Sequence, residues 1–323
     1  MRASCSILGS GGRRGRFIGR QRPSFPDEEV TTGPDRRLVS ARLKAAIQAL
    51  DMYSDALLIG ETLVVKRFVW QLPIMLALAL SSGANAEGSA APANSPLVVV
   101  AGASGKTGRL VLERAAKAGY RVRGMARDPA KARTEIPGDY EWISGDVRDP
   151  ATLKVVLAGA TYVVCAIGAT ERSGPNSPQF VDYGGVKNLS DAAKAAGVKQ
   201  FVLISSTGAG GGGGATSWLL NTLLMPGILE WKGKGEQYLR ASGLPYTIVR
   251  PGGLNNDPGG QQGIRFTQGD NLGGGTIPRG DVATVIVAAL GNADAINKTF
   301  EMASDEKAAL NGWRQALASL KKD

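Results

Sequence analysis

The 323-residue sequence predicts an α/β fold, a doubly wound parallel sheet, and three observations carry the prediction. Four short runs, LVVVA (97–101), YVVCAI (162–167), FVLIS (201–205) and YTIVR (246–250), are apolar without alternation, as strands covered on both faces are. Helix-like segments separate them, so strand and helix alternate along the chain. The first run passes through Gly102, Gly105 and Gly108 into a helical pattern at Leu110, Val111 and Ala115, which makes a strand–turn–helix unit.

That unit, Leu97 to Leu112, is the first element and the one that organises the rest. Glycines let a backbone approach a pyrophosphate, and free amides at a helix N-terminus bind its charge. Two nucleotide motifs compete for the stretch. Gly105-Lys106-Thr107 looks like the end of G-x-x-x-x-G-K-[ST], but that motif needs glycine at position 100, where Val100 stands inside the strand. The loop is therefore too short for a triphosphate. The spacing G-x-x-G-x-x-G is a variant of the dinucleotide fingerprint, here with a buried strand before it and a helix after it, and it predicts dinucleotide binding.

Tyr120 to Ala126 reads as the second strand. An NAD site usually carries a carboxylate at the end of this strand to hold the ribose hydroxyls. Arg127 takes that place, and Lys106 sits in the glycine turn. Both could pair with a 2′-phosphate, so the sequence points to NADP over NAD. Asp128-Pro129 reads as a helix N-cap with proline in the first turn. Tyr140 to Ser144 is the third strand, followed by Gly145-Asp146-Val147 and a short helix from Pro150 to Leu157. Thr161 to Ile167 is the fourth strand, ending at Gly168. A single helix is expected from Gln179 to Ala196, stopped by Gly197. Gln200 to Ser205 is the fifth strand. The right-handed crossover rule then places the ligand at the carboxyl ends of the strands.

The second half is more irregular. Gly208 to Gly214 holds six glycines in seven residues and could flank a substrate mouth, which apolar Trp218 to Leu229 could cover. A helix is expected over Glu230–Ser242, a sixth strand over Tyr246–Arg250 ended by Pro251, and a loop at Gly273-Gly274-Gly275. Helix Asp281–Leu290, a short strand Lys298–Met302 and a terminal helix Glu306–Leu320 complete the reading.

Composition excludes several function classes. The net charge is +10, and half of the excess lies in the first 67 residues, with 12 Lys/Arg against 7 Asp/Glu. The mild remainder suits an anionic cofactor, and no basic stripe interleaved with aromatics points to nucleic acid. With only Cys5 and Cys165, no disulfide framework is available, and Cys165 should pack as a small hydrophobe. The chain has no histidine, so neither the usual Cys/His zinc sites nor Ser-His-Asp and Cys-His mechanisms apply, and no metal is expected.

Four segments are expected: an N-terminal extension (1–64), a signal-peptide-like run (65–86), a linker (87–95) and the dinucleotide-binding domain (96–323). Residues 1–35, rich in Arg, Gly, Ser and Pro, should be disordered, and Arg36–Leu58 could form a modest helix. Lys66-Arg67, the apolar FVWQLPIMLALAL (68–80) and Ala84-Asn85-Ala86 have the form of a secretory signal, and 13 apolar residues fall short of a stable membrane span. Its internal position leaves three readings. The start lies near Val65, the leader is bipartite, or the run is a buried or interfacial helix. Export to a periplasm or organelle lumen follows from a signal peptide; otherwise the protein is cytoplasmic.

The motifs VVVAGASGKTG, GDVRD, FVLISS, WKGKGEQYLRASGLPYTIVRPGGL and IPRGDVA, in this order over about residues 96–320, resemble the atypical short-chain dehydrogenase/reductase family. More narrowly they resemble its NAD(P)H-binding branch of biliverdin/flavin reductase-like and NmrA-like proteins, with a Rossmann-type fold. The resemblance implies that Gly102, Ser104, Gly105, Lys106, Thr107 and Gly108 cradle the pyrophosphate and that Arg127 meets the 2′-phosphate. It implies that Asp146 and Val147 contact adenine and that Ala166, Ile167 and Gly168 lie beside the ribose. Ser205 and Ser206 match the active-site serine strand, Lys232 the lysine that holds the nicotinamide ribose, and Pro251 a residue near the nicotinamide. The sequence departs from the family in one respect. Four residues before Lys232, where a Tyr-x-x-x-Lys pair would put a phenol, stands Ile228. A Tyr-x-x-x-Lys string, Tyr183 to Lys187, precedes the serine strand and reads as helix packing. Two functions follow. One is a reductase passing hydride to a flavin, quinone or other conjugated small molecule, which takes its proton from solvent or Ser206. The other is a non-catalytic NADP(H) sensor or scaffold.

Overall fold

The computed structural model describes residues 91–212 and 226–323. The expected disordered segment, the helix at Arg36–Leu58, the signal-like run 65–86 and most of the glycine-rich and apolar stretch after Gly212 lie outside them. Strand β1 (Leu97–Ala101) leads into α1 (Gly108–Lys117), β2 (Arg121–Ala126) into α2 (Pro129–Glu135) and β3 (Glu141–Ser144) into α3 (Pro150–Val156). Strand β4 (Tyr162–Cys165) is followed by a π-helical segment, Gln179–Gly185, that continues as α4 (Val186–Ala195), and β5 (Gln200–Ile204) by α5 (Ile228–Ala241). Then come β6 (Tyr246–Pro251), β7 (Gly253–Asn255), β8 (Gly263–Thr267), β9 (Thr276–Pro278), α6 (Arg279–Ala289), β10 (Lys298–Asp305) and α7 (Trp313–Ser319).

Eight strands form one sheet in the order β3-β2-β1-β4-β5-β6-β10-β8, and β7 pairs with β9 apart from it. All pairings in the large sheet are parallel except β8 against β10. Strand β1 lies between β2 and β4, so the winding reverses beside it, and ligands of such sheets bind outside the carboxyl ends at that point. This is the doubly wound, Rossmann-type sheet that the apolar runs predict. The lack of alternation in β1 has its reason in the two cores. Val98 and Val100 face Val111 of α1 and Val282 of α6, while Val99 and Ala101 face Leu153 of α3 and Leu189 of α4. Cys165 is fully buried on the second face, and burial pushes its thiol up to about 12, as inert packing requires.

Local signals act where expected. Asp128 accepts from the Lys131 amide at 2.9 Å and caps α2, and Gly197 takes φ 68° just after α4. Six elements differ from the sequence reading. The long helix over 179–196 opens as a π-helix over Gln179–Gly185. Strand β10 runs to Asp305 rather than Met302, because β8 pairs with its second half. Strands β7, β8 and β9 have no counterpart in the sequence reading; at three to five residues each they carry little periodicity. The terminal helix is seven residues, Trp313–Ser319, and turns occupy the residues before it.

Candidate functional site

At the carboxyl end of β1 the backbone turns on Gly102, which has φ 79°. A Cβ there would lie 2.6 Å from the Ala166 carbonyl, and one on Gly108 would strike the Gly102 carbonyl. Both glycines are thus demanded by close backbone approach. The Gly105 amide donates to the Gly102 carbonyl at 3.0 Å and closes the turn, leaving Ser104, Gly105 and Lys106 exposed. Thr107 makes no side-chain cap on α1, so the helix N-terminus is left to an outside acceptor. An uncapped helix start under a turn that admits no Cβ fits the pyrophosphate of a dinucleotide.

Beside this turn opens a cleft of about 220 Å³. Gly102, Ser104, Gly105, Arg127, Asp146, Val147, Ala166, Ile167 and Gly168 line it, as do Arg148, Thr170 and Asn176, which the sequence reading did not name. Arg127 is exposed at the end of β2 and donates to Asn176 Oδ1 at 3.3 Å. Arg148 grips Asp146 through its side chain, with Nε at 3.0 Å from Oδ1, and its own amide bonds the same carboxylate at 2.9 Å. Those side-chain bonds hold the Asp146 carboxyl below the usual carboxylate range. The one acid here that could serve ribose hydroxyls is therefore committed to an arginine.

The structure separates Lys106 from Arg127. Lys106 lines a different cleft with Arg109, Arg114 and Arg279, against the loop at Asn256. Thr107 is half-buried and Gly108 buried at the helix start. Pro251 ends β6, where its carbonyl accepts the Thr207 amide at 3.1 Å.

A second recess, with room for about one water at 10 Å³, holds Lys232 and Ser205 against Ile167, Leu203 and Asp182. Ile167 lines both this recess and the larger cleft. Lys232 Nζ lies 2.7 Å from Asp182 Oδ1, with the two side chains 14 % and 1 % exposed. The other Asp182 oxygen accepts the Ala169 amide at 3.0 Å. The π-helical segment carries Asp182 into this position. Ile228 is buried in α5, so no hydroxyl stands four residues before Lys232. Tyr183 packs its ring 6.0 Å from that of Trp231, while Lys187 pairs with Asp191 at 3.0 Å.

Behind Ser205 lies a buried charge cluster. Ser205 Oγ donates to Glu236 Oε1 at 2.5 Å. Arg250 clasps the same carboxylate, Nε to Oε1 at 2.9 Å and Nη2 to Oε2 at 2.6 Å, and Arg240 adds a bond at 3.0 Å. Arg250 also reaches Asp270 at 3.0 Å and Glu301 at 3.4 Å. Burial opposes the Arg250 charge, yet the Glu236 bonds and the three carboxylates raise its pKa. Ser206, next in sequence, donates to the Thr207 carbonyl at 3.2 Å.

Sequence reasoning missed Asp182, Glu236 and Arg148. Asp182 stands beside Tyr183, where only the tyrosine drew notice. Glu236 follows Lys232 by one helical turn, a spacing that puts both on one side of α5. Arg148 lies two residues after Asp146.

A family model described as NAD(P)H-binding matches residues 102–293. Sanguinarine reductase of Eschscholzia californica is 34% identical over 248 residues, 64% of this chain and 88% of that protein. An uncharacterised chloroplastic protein of Arabidopsis thaliana is 37% identical over 239 residues, 67% and 72% of the two chains. Among solved structures, a putative NAD-dependent epimerase/dehydratase from Bacillus halodurans superposes with a TM-score of 0.60 at 24% identity, over 69% of this chain and 100% of that one.

Proposed function

This chain belongs to the NAD(P)H-binding oxidoreductase family, and we propose that it is an NADP-preferring reductase of flavin-, quinone- or similarly conjugated acceptors. The observation that carries the reading is an open, arginine-edged cleft that shares Ile167 with the recess where Asp182 holds Lys232, together with Ile228 four residues before that lysine, where a Tyr-x-x-x-Lys pair would put its phenol. In this reading Gly102, Ser104, Gly105, Thr107, Gly108 and the start of α1 hold the pyrophosphate, with Lys106 at the margin of the turn. Asp146 and Val147 face the adenine, and Ala166, Ile167 and Gly168 the ribose. Arg127 meets the 2′-phosphate. Asp146, the acid lining this cleft, is held by Arg148.

The nicotinamide supplies a hydride when bound. Lys232 offers its ammonium to the adjoining ribose, and Asp182, 2.7 Å away, keeps it aimed. Pro251 shapes the wall after β6. With Ile228 in place of a phenol, the tyrosine route to alcohol–ketone exchange is missing, whereas a flavin or quinone is reduced to a delocalised product that is protonated by solvent or by Ser206.

NADPH mixed with a panel of flavins and quinones, followed at the nicotinamide absorbance band, tests the reading. Turnover with at least one acceptor is expected. Tight NADPH binding without turnover would instead support a sensor or scaffold, which the missing phenol also favours. The likeness to a chloroplastic relative supports organelle targeting over a cytoplasmic location, with 65–86 as the segment involved.

A further inference from the structure

The Ser205 hydroxyl has one hydrogen, and its direction can be deduced. Its partner Glu236 Oε1, 2.5 Å away, belongs to a fully buried carboxylate that is also met by two Arg250 nitrogens and one from Arg240. An acceptor-only carboxylate ringed by donors takes a hydrogen from Ser205 and cannot return one. What Ser205 turns toward the recess it shares with Lys232 is a pair of lone pairs. Lys232, in turn, is occupied by Asp182.

We propose that Glu236 fixes Ser205 as a hydrogen-bond acceptor, and that Ser205 receives an N–H of the nicotinamide carboxamide rather than giving a proton to substrate. The inference rests on the dinucleotide reading above and deepens it. Ser205 orients the reactive ring, Glu236 is the positioning residue behind it, and Arg250 and Arg240 hold Glu236. Between the two adjacent serines, only Ser206, whose hydrogen rests on a neighbouring carbonyl at 3.2 Å, can turn a donor toward a ligand.

The test compares two ligands that differ in one donor. The 3-acetylpyridine analogue of NADP⁺ keeps the carbonyl but carries a methyl group where the carboxamide has its nitrogen. Dissociation constants for both are measured by calorimetry on the full chain and on Ser205→Ala. The wild type should bind NADP⁺ about tenfold more tightly than the analogue, the worth of about 1.4 kcal/mol. In Ser205→Ala that gap should close, with NADP⁺ falling to the affinity of the analogue and the analogue itself unchanged. Equal affinities in the wild type, a gap that survives in Ser205→Ala, or a parallel loss for both ligands would each overturn the proposal. The last result would mean that Ser205 donates to the carbonyl or only supports the fold. If the wild type binds neither ligand while melting cooperatively, the dinucleotide reading falls first and takes this inference with it.

Discussion

The cleft beside Arg127 and the recess around Lys232 sit at the same edge of one sheet and are built by opposite means. The first is open, and glycine backbone and exposed cations form it. Arg127, at its edge, has a single 3.3 Å side-chain contact with Asn176, while Arg148 is tied to Asp146. The second is nearly closed, and charges buried from water fix its geometry. Lys232 answers to Asp182, and Ser205 to Glu236, Arg250 and Arg240. A cleft of the first kind can admit a long anionic ligand at little cost in rearrangement. A recess of the second kind holds reacting groups still, because moving any one charge leaves another unpaired in a dry interior. The difference separates binding from orientation.

The comparison breaks most severely at the centre of the buried cluster. Arg250→Met leaves Glu236, Asp270 and Glu301 without their common counter-charge and should cost about 3–5 kcal/mol or more, read as a collapse of the thermal transition. Asp182→Asn keeps an acceptor for the Ala169 amide but removes the partner of Lys232, whose 14 % exposure lets water soften the loss. We expect about 2–3 kcal/mol, just below the range of about 3–5 kcal/mol for a fully buried pair. The loss should appear as a lower melting temperature.

At the open cleft the effects fall on affinity. Gly102→Ala places a side chain at φ 79° and 2.6 Å from a carbonyl, and should cost about 1–3 kcal/mol of stability while removing NADPH binding, measured by fluorescence titration. Arg127→Asp should lower NADPH affinity by about 1.5–3 kcal/mol and leave NADH nearly unchanged, and equal losses for the two would count against the 2′-phosphate assignment. The smallest effect is set by pH. Arg148 depresses the folded Asp146 pKa below its unfolded value near 3.9, so the pair stabilises the fold above that value and the gain disappears as acid passes the folded pKa. The gap in melting temperature between wild type and Arg148→Ala should therefore be constant above about pH 5 and shrink below about pH 4.

The two regions also differ in how far they could be read from residues alone. That the glycine turn, Arg127 and the pair Asp146-Val147 line one cleft is legible, since each lies within a few residues of a recognisable strand end. The cleft that Lys106 lines is not legible, because side-chain direction in an exposed turn depends on its neighbours, here Arg109 and Arg279. Asp182 and Glu236 were invisible as site residues. Their partners lie 50 residues away for Lys232 and 31 for Ser205, and the π-helical segment that carries Asp182 leaves no mark in a periodicity of 3.6.

The linear chain, by itself, settled that a parallel sheet covered on both faces would form and that a backbone cradle would stand at the end of its first strand. Those features follow from hydrophobic runs and from conformations open only to glycine, which are properties of neighbouring residues. Tertiary structure alone decided which charges meet in the interior, which way the Ser205 hydrogen points and how β10 is lengthened by β8. These depend on the desolvation and pairing of groups that only folding brings together.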